Sequence, residues 1–302
     1  MPSPQPDVVL TEPEIGVMTA AELALIVDWA AGEQWNPGLH DVAAAHAYDP
    51  EGFVAMRRDG EMIGGGSIVS YDGAFGFMGL FIVRPDLRGH GLGTQLWHHR
   101  RDRLLARLRP GAAIGMDGVF AMVPFYERGG FRLAYRDLRF EGVAPAATTD
   151  GLTTLDLVPL DQVPFDVVPF DVLDAYDRRH VAAPRTALLR HWLDQPGSHG
   201  AAVVEDGRVV GMAHLRPCRT GFKFGPVHAD RADIAERLIA GLLAKVVGEQ
   251  VQLDVPEPNE AGLALAARFG MAESFGCARM YLGPDPDLPV DRIFGVTSFE
   301  FG

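Results

Sequence analysis

The chain has 302 residues, of which 47% are apolar and 22% charged, a composition typical of a globular enzyme long enough for two domains. Its net charge of −13 disfavours nucleic acid and anionic membranes as partners, and two cysteines are too few for a disulfide framework or a zinc site. No apolar run reaches the length of a membrane span, and the proline-rich, acidic start is not typical of a signal peptide. We therefore expect a cytoplasmic protein without a metal.

The first elements follow from local signals. Residues 20–31 predict a helix with Thr19 as its N-cap, and the segment GEQWNPG ends it. The segment FVAMRRDGEMIGGGSIVS, residues 53–70, predicts a β-hairpin that turns at Asp59 and Gly60.

A run of alternating strands and helices follows. The near-continuous apolar run over 75–83 predicts a strand in the centre of a sheet. After a glycine-rich loop, the apolar spacing over 92–108 predicts a helix. A buried strand over 112–119, a short helix within 124–131 and a last alternating strand over 131–140 complete the unit.

The second half repeats this order. The segment AAVVEDGRVVGMAHL predicts another hairpin with an Asp-Gly turn, GFKFGPVHADRADIAERLIAGLLAKV predicts strand, loop and helix, and LALAARFGMAESFGCARMYL is similar to PFYERGGFRLAYRDLRF. Residues 142–151 have the composition of a linker. We therefore predict two domains over 1–145 and 146–302, produced by an internal duplication.

The segment VRPDLRGHGLGTQLW, residues 83–97, joins the central strand to the next helix through three glycines. Unpaired N–H groups at a helix start, together with the helix dipole, bind anions, and glycines let a ligand approach the backbone. The segment lacks the lysine of a P-loop, and its G-x-G-x-G spacing differs from the G-x-G-x-x-G of dinucleotide-binding loops. The pattern predicts a phosphate site of another kind.

The R-G-x-G-x-G spacing after V-x-P resembles motif A of the GNAT superfamily of acetyl-CoA-dependent N-acyltransferases. The order of elements over 15–140 is similar to that family, and GEQWNPG together with the tail from Gly283 resembles bacterial tandem GNAT proteins. The resemblance implies an α/β (α+β) fold of two GNAT-like domains, each a mixed, mostly antiparallel sheet flanked by helices. The second domain is divergent, because PVHADRADIA replaces the glycines of the loop.

By this resemblance, acetyl-CoA is the co-substrate. The backbone around Phe81, Ile82 and Val83 would pair with the pantetheine, and an amide of Ile82 or Val83 would face the thioester oxygen. The pyrophosphate would lie on the loop and the helix start, at Arg88, Gly89, His90, Gly91, Leu92, Gly93 and Thr94. Four arginines that follow the loop would face the 3′-phosphate: Arg100, Arg101, Arg103 and Arg107. Each of them is more simply explained as part of a solvated helix face.

Acyl transfer to an amine needs a base for the amine, donors for the oxyanion and an acid for the leaving thiolate. In the family the acid is commonly a tyrosine on the short helix after strand five, which matches Tyr126. Many relatives carry a glutamate on strand four, but FGFMGLFIV contains no carboxylate. Asp117, near the end of strand five, is the candidate base or binding group for a cationic amine. Alternatively, it is an ordinary turn residue before Gly118.

In such folds the loop between the first two helices selects the acceptor. Glu33, Trp35 and Asn36 lie there, and an acid beside an aromatic ring suits an amine, although Trp35 is equally well explained as an anchor of the loop. We expect the second domain to pack on the first and to line the acceptor site, and we expect the tail from Gly283 to dock.

The leading hypothesis is an N-acetyltransferase that acts on a primary amine, either a small molecule or a lysine side chain, as a monomer or homodimer. A catalytically weak acyl-CoA-binding or sensing protein is one alternative. An acyltransferase for longer acyl groups is another, and the depth of the acyl pocket would separate it from the first.

Overall fold

A computed structural model of the chain describes residues 12–145 and 162–302. In the first range the elements are β1 (Glu14–Val17), α1 (Ala20–Gly32), α2 (Asp41–Tyr48), β2 (Phe53–Arg58), β3 (Glu61–Tyr71), β4 (Phe75–Val83), α3 (Leu92–Leu105), β5 (Ala113–Val119), α4 (Val123–Arg128) and β6 (Arg132–Val143). In the second they are β7 (Gln162–Pro164), α5 (Phe170–Asp177), α6 (Thr186–Leu193), β8 (His199–Glu205), β9 (Arg208–Pro217), β10 (Phe222–Ala229), α7 (Ala232–Leu243), β11 (Gln250–Pro256), α8 (Glu260–Arg268), β12 (Ala272–Leu282) and β13 (Ile293–Gly295). Within these ranges no helix combines the length and the apolar character needed to span a membrane.

Local signals set the elements that the sequence predicts. Helix α1 begins with a capping box, in which the Thr19 hydroxyl accepts a hydrogen bond from the Glu22 amide and the Glu22 carboxylate accepts one from the Thr19 amide. The hairpin between β2 and β3 turns at Asp59 and Gly60, which both have positive φ, and the Asp-Gly turn between β8 and β9 does the same. These predictions are confirmed.

Other boundaries differ from the prediction. Helix α3 ends at Leu105, three residues before the predicted end at 108. Strand β6 continues to Val143, so the first residues of the predicted linker over 142–151 belong to the sheet, while 146–151 lie outside the described residues. The sequence pattern does not predict α2, because its alanine-rich segment has no clear apolar stripe.

The strands form one continuous sheet, in the order β1-β2-β3-β4-β5-β12-β6-β11-β10-β9-β8-β7, with β13 paired to β10. The pairs β4–β5 and β10–β11 are parallel, and the other pairs described are antiparallel, so the expected mixed, mostly antiparallel character is confirmed. The two halves exchange their last strands: β12 lies between β5 and β6, and β6 lies between β12 and β11. The sheets of the two halves are therefore joined into one through the exchanged strands.

Buried ion pairs join the halves where the strands are exchanged. Three arginine–aspartate pairs cross from one half to the other, each with two hydrogen bonds of 2.6 to 3.0 Å: Asp41–Arg216, Asp117–Arg279 and Arg139–Asp254. Removing one partner of a buried pair costs about 3–5 kcal/mol, because the other charge is left without compensation. Two of these pairs, Asp117–Arg279 and Arg139–Asp254, therefore hold the exchanged strands in one register, and Asp41–Arg216 joins α2 to β9.

The tail docks, as predicted. Its first part forms β13, and residues 296–302, which we call the docked segment, then lie against the first half. The Tyr71 hydroxyl donates to the carbonyl of Phe301, and Arg185 Nη1 donates to the carbonyl of Gly302 at 3.2 Å. The Phe301 ring is 1% exposed and belongs to the core of the first half. The docked segment is thus a part of the core.

Burial makes the stability of this fold sensitive to acid. His180, His214 and His228 are each at most 2% exposed, and burial lowers all three pKa values, that of His214 to about 3. Since an unfolded histidine titrates near 6.5, the unfolded chain binds more protons below that pH and the folded state loses stability as the pH falls. We predict that His214 contributes a loss of about 1 kcal/mol per pH unit between pH 6 and 5, measured by urea unfolding, and that His180 and His228 act in the same direction. His214→Leu should reduce this slope, whereas substitution of the exposed His98 by Gln should leave it unchanged; an equal slope in the His214 variant would contradict the assignment.

Candidate active site

Strands β4 and β5 separate halfway along their length. They pair from Phe75 and Ala113 as far as Met78 and Met116, and the pairing stops there. Leu80 has a φ of 50° and causes a bulge in the register with β3, which turns the rest of β4 away from β5. The separation opens a cavity of about 560 Å³. The backbone groups of β4 that face β5 beyond this point have no strand partner.

The glycine loop forms one end of the cavity. Gly89 and Gly91 have φ of 84° and 81°, and a Cβ at either would meet nothing within 4 Å, so the backbone there is open to a ligand. Gly91 caps α3 without any side-chain hydrogen bond, and the first turn carries no acid, so its N–H groups face outward in a positive field. Eight of the predicted co-substrate residues line the cavity: Phe81, Ile82, Val83, Arg88, Gly89, Gly91, Gly93 and Thr94.

His90 and Leu92 were predicted in the same set but do not line the cavity with their side chains. His90 is exposed on the outer side of the loop. The Leu92 side chain is 6% exposed and packs in the core below α3, so only its backbone remains at the helix start.

An ion pair crosses the mouth of the cavity. Arg88 donates through Nε to the carbonyl of Val83 at 2.8 Å and through Nη2 to the carboxylate of Glu33, which follows α1. Both side chains are partly exposed. These two bonds hold the Arg88 side chain at the glycine loop. Its positive charge is partly compensated by the carboxylate of Glu33.

Tyr126 lies at the other end of the cavity. Helix α4 begins with Pro124 in its first turn, and Tyr126 is 4% exposed, with its ring centroid 5.0 Å from that of Trp97. A Cβ at Gly118 would collide with the Tyr126 ring, so this glycine leaves the space that the ring needs. The hydroxyl makes no hydrogen bond within the described ranges, and burial raises the pKa of Tyr126 to about 12. The phenol therefore keeps its proton at neutral pH.

Asp117 lies inside β5, so its interpretation as a turn residue is wrong. Both carboxylate oxygens accept hydrogen bonds from Arg279 of β12, at 2.6 and 2.7 Å, and Asp137 of β6 approaches the same guanidinium at 3.5 Å. Asp117 lines the cavity, and burial raises its pKa above the ordinary value despite the charge of Arg279. The structure thus places the predicted residue at the site but gives both of its oxygens to another partner.

The loop after α1 contributes two of its three predicted residues. Glu33 and Trp35 line the cavity, whereas Asn36 does not. The Asn36 side chain instead exchanges hydrogen bonds of 2.9 Å with the backbone of Thr220, in the second half. These bonds hold the loop against the turn between β9 and β10, so the prediction that Asn36 lies at the acceptor site is wrong.

The second half supplies one wall of the cavity. The sequence did not indicate which residues form this wall. Phe275 and Cys277 of β12, and Phe299 and Glu300 of the docked segment, line the cavity. Burial raises the pKa of the Cys277 thiol well above its ordinary value. The apolar tail signalled that this segment docks, but no local pattern indicates which strand it contacts.

The arginines of α3 differ from the expectation of a solvated face. Arg100 is fully buried, where its Nη2 donates to the carbonyls of Ser67 and Gly79 at 2.6 Å, and burial lowers its pKa to about 9. Arg101 pairs with Asp102 and Arg103 with Glu51, and Arg107, just after the end of α3, pairs with the buried Asp49.

Helix α7 of the second half corresponds to α3 of the first half, but its start differs from that of α3. It has no glycine with positive φ, its first turn carries Asp233, and Asp230 lies just before it. Acids at this position repel phosphate. Across residues 12–145 and 162–302, no three His, Cys, Asp or Glu side chains are grouped so that they could hold a metal ion.

The sequence of this chain is similar to that of known acyltransferases. Residues 20–131 match the Acetyltransferase (GNAT) family, and residues 173–295 match the Acetyltransferase (GNAT) domain. Holothin acyltransferase from Pseudoalteromonas sp. (strain SANK 73390) is 27% identical over 284 residues, which cover 93% of this chain and 92% of that protein.

Solved structures agree on the fold. A presumed acetyltransferase from Pyrococcus horikoshii has a TM-score of 0.79 at 18% identity, over 99% of each chain. A tandem GNAT protein from the clavulanic acid biosynthesis pathway has a TM-score of 0.60 at 16% identity, over 91% of this chain and 100% of that one.

The fold, the sequence relatives and the open loop beside a split pair of strands define an acyltransferase that takes its acyl group from an acyl-CoA. The chain belongs to the GNAT acetyltransferase family and is a tandem member of it, with one GNAT domain in each half.

The ion pair at the mouth gives a test of the loop. Glu33→Gln should tighten the binding of acetyl-CoA by about two- to five-fold, because it frees Arg88 and removes a negative charge beside the expected pyrophosphate site; exposed pairs are worth about 0–1 kcal/mol. Isothermal titration calorimetry measures the change. Glu51→Gln makes the same substitution at an acid near the other end of α3 and should have no effect. Weaker binding by the Glu33 variant would show that the loop does not hold the pyrophosphate.

Proposed function

We propose that the protein transfers the acetyl group of acetyl-CoA to a primary amine by direct attack of the amine on the thioester. The observation that carries the proposal is the opening between β4 and β5, which has an anion-binding helix start at one end and a protonated tyrosine at the other. Such an opening would let an extended acyl-CoA lie along β4, with its pyrophosphate at the helix start and its thioester near Tyr126.

The residues of the first half suit acetyl-CoA. The open space over Gly89 and Gly91 admits a pyrophosphate close to the backbone, the free N–H groups of α3 donate to it, and Arg88 adds a positive charge. The start of α7 has no such glycines and carries Asp233 in its first turn. We therefore assign the co-substrate to the first half.

The unpaired edge of β4 suits the pantetheine and the thioester. Beyond Met78, the groups that would pair with β5 are available to the amide groups of pantetheine, as if the co-substrate were an added strand. An N–H of Ile82 or Val83 would then donate to the thioester oxygen and stabilise the charge that develops there. A single donor of this kind is worth about 10²–10³ in rate.

Tyr126 would protonate the leaving thiolate. Its raised pKa keeps the phenol protonated at neutral pH, and its hydroxyl has no competing hydrogen bond among the residues described. Position, protonation state and a free donor together support the role of general acid.

The acceptor side of the cavity suits an amine. Acids and aromatic rings from both halves surround it, and the set comprises Glu33, Trp35, Asp117, Phe275, Phe299 and Glu300. Negative charge attracts a protonated amine, and the rings suit an apolar or planar body attached to it.

Because a relative is named for holothin, that compound belongs in the first panel of acceptors, next to simple amines, amino sugars and lysine peptides.

We predict that Tyr126→Phe lowers kcat by about 100-fold, because the thiolate must leave without an acid, and leaves the affinity for acetyl-CoA within about two-fold. The measurement is amine-dependent release of free thiol from acetyl-CoA, repeated with longer acyl-CoAs. Tyr48→Phe is the matched control, since Tyr48 lies on α2 and does not line the cavity. An unchanged kcat in the Tyr126 variant would remove this residue from the mechanism, and an absence of thiol release by the wild-type protein with every amine would contradict the proposed function.

A further inference from the structure

Strand β4 has no carboxylate of its own, but the backbone of another acid, Glu300, lies against it. At Gly79 of β4, an added Cβ would collide with the backbone carbonyl of Glu300. The backbone of the docked segment therefore occupies the space that a side chain of β4 would need. Glu300 stands beside the point where β4 separates from β5, next to the bulge at Leu80.

The docked segment holds Glu300 in a fixed place. Its neighbours Phe299 and Phe301 are 5% and 1% exposed. The Ser67 hydroxyl of β3 approaches the carbonyl of Glu300 at 3.4 Å, and the Tyr71 hydroxyl donates to the carbonyl of Phe301. A side chain on such a segment is as well positioned as one on the sheet itself.

The carboxylate of Glu300 has one oxygen free. The Ser298 hydroxyl donates to Oε2 and accepts from the Glu300 amide at 2.9 Å, which orients the side chain. Oε1 makes no hydrogen bond to any residue that the structure describes, and Glu300 lines the cavity together with Tyr126.

The other two acids of the cavity are engaged. Asp117 gives both oxygens to Arg279 and is fully buried. Glu33 lies at the mouth, paired with Arg88 of the glycine loop. Glu300 is the one of these three acids that combines a position at the strand separation with no ion pair to an arginine.

We infer that Glu300, from the docked segment of the second domain, is the general base for the acceptor amine, which deepens and rests on the proposed function. The second domain thus supplies a catalytic group to a reaction whose co-substrate is bound by the first.

The protonated amine gives one proton to Oε1 of Glu300, directly or through a water molecule, and its freed electron pair forms a bond to the thioester carbon. The carbon–sulfur bond breaks, its electron pair leaves with sulfur, and the thiolate takes the proton of Tyr126. The nitrogen still carries one extra proton, which passes to the phenolate of Tyr126. Glu300 then releases its proton to solvent. The products are the amide, free CoA and one proton.

Amines of different basicity separate a base from a structural residue. An alkylamine is protonated at neutral pH and needs the base, whereas methoxyamine is largely unprotonated and does not. Glu300→Gln keeps the volume and can keep the hydrogen bond from Ser298. We expect its kcat/KM to fall about 100-fold or more with the alkylamine and less than about ten-fold with methoxyamine, with acetyl-CoA affinity within about two-fold of wild type.

Two further variants complete the experiment. Glu300→Asp, which retracts the carboxylate by one methylene, should keep more alkylamine activity than Glu300→Gln, so that the conclusion does not depend on one variant folding. Glu273→Gln makes the same change at an exposed acid of β12 outside the cavity and should behave as wild type.

The outcomes are distinct. A loss restricted to the alkylamine supports the inference. Equal loss with both amines, or no loss with either, overturns the role of Glu300 and leaves the proposed function intact if the wild-type protein turns over. No turnover of any amine by the wild-type protein overturns the proposed function and the role of Glu300 together.

Discussion

The pair between Asp117 and Arg279 is the interaction on which the rest of the site depends. It is buried, has two short hydrogen bonds, and joins β5 of one domain to β12 of the other at the point where β5 leaves β4. Strand β5 pairs with β12 from Ile114 to Val119, but with β4 only as far as Met116. Breaking the pair would leave a buried charge and cost several kcal/mol, so the strand separation is held open by the fold itself.

The two domains belong to one family but contribute different parts of the cavity. The first keeps the glycines, the open helix start and the tyrosine, while the second has acids at the corresponding helix start and contributes Phe275, Cys277 and the docked segment. Neither domain completes the cavity alone. The duplication has thus produced one cavity from two copies, in which one copy carries the anion-binding loop and the other the opposite wall.

The sequence predicts those parts of the structure that depend on neighbours in the chain. The capping box at Thr19, the turn at Asp59 and Gly60, and the loop from Arg88 all act through backbone geometry within a few residues, so their positions can be derived directly. The strand exchange cannot be derived in this way. The segments FRLAYRDLRF and SFGCARMYL alternate alike, and either could pair with β5 or β11. Which one does so depends on contacts more than a hundred residues apart, such as Arg139 with Asp254.

The same limit explains the errors at the site. Arg100 lies on a helix rich in arginine, and nothing in its spacing shows that its guanidinium reaches two carbonyls below the helix. Asn36 looks like a ligand of the acceptor, but its partner Thr220 lies in the other domain. Glu300 carries no local signal beyond the apolar residues around it, because its role depends on where the docked segment ends up.

The most direct test of the account is amide hydrogen–deuterium exchange with and without acetyl-CoA. We predict slower exchange over residues 88–94 of the glycine loop and over 81–83 of β4, with no change over 229–234 at the start of α7. Protection at the start of α7, or no protection at the glycine loop, would contradict the claim that the split between β4 and β5 is where this protein holds its acyl donor.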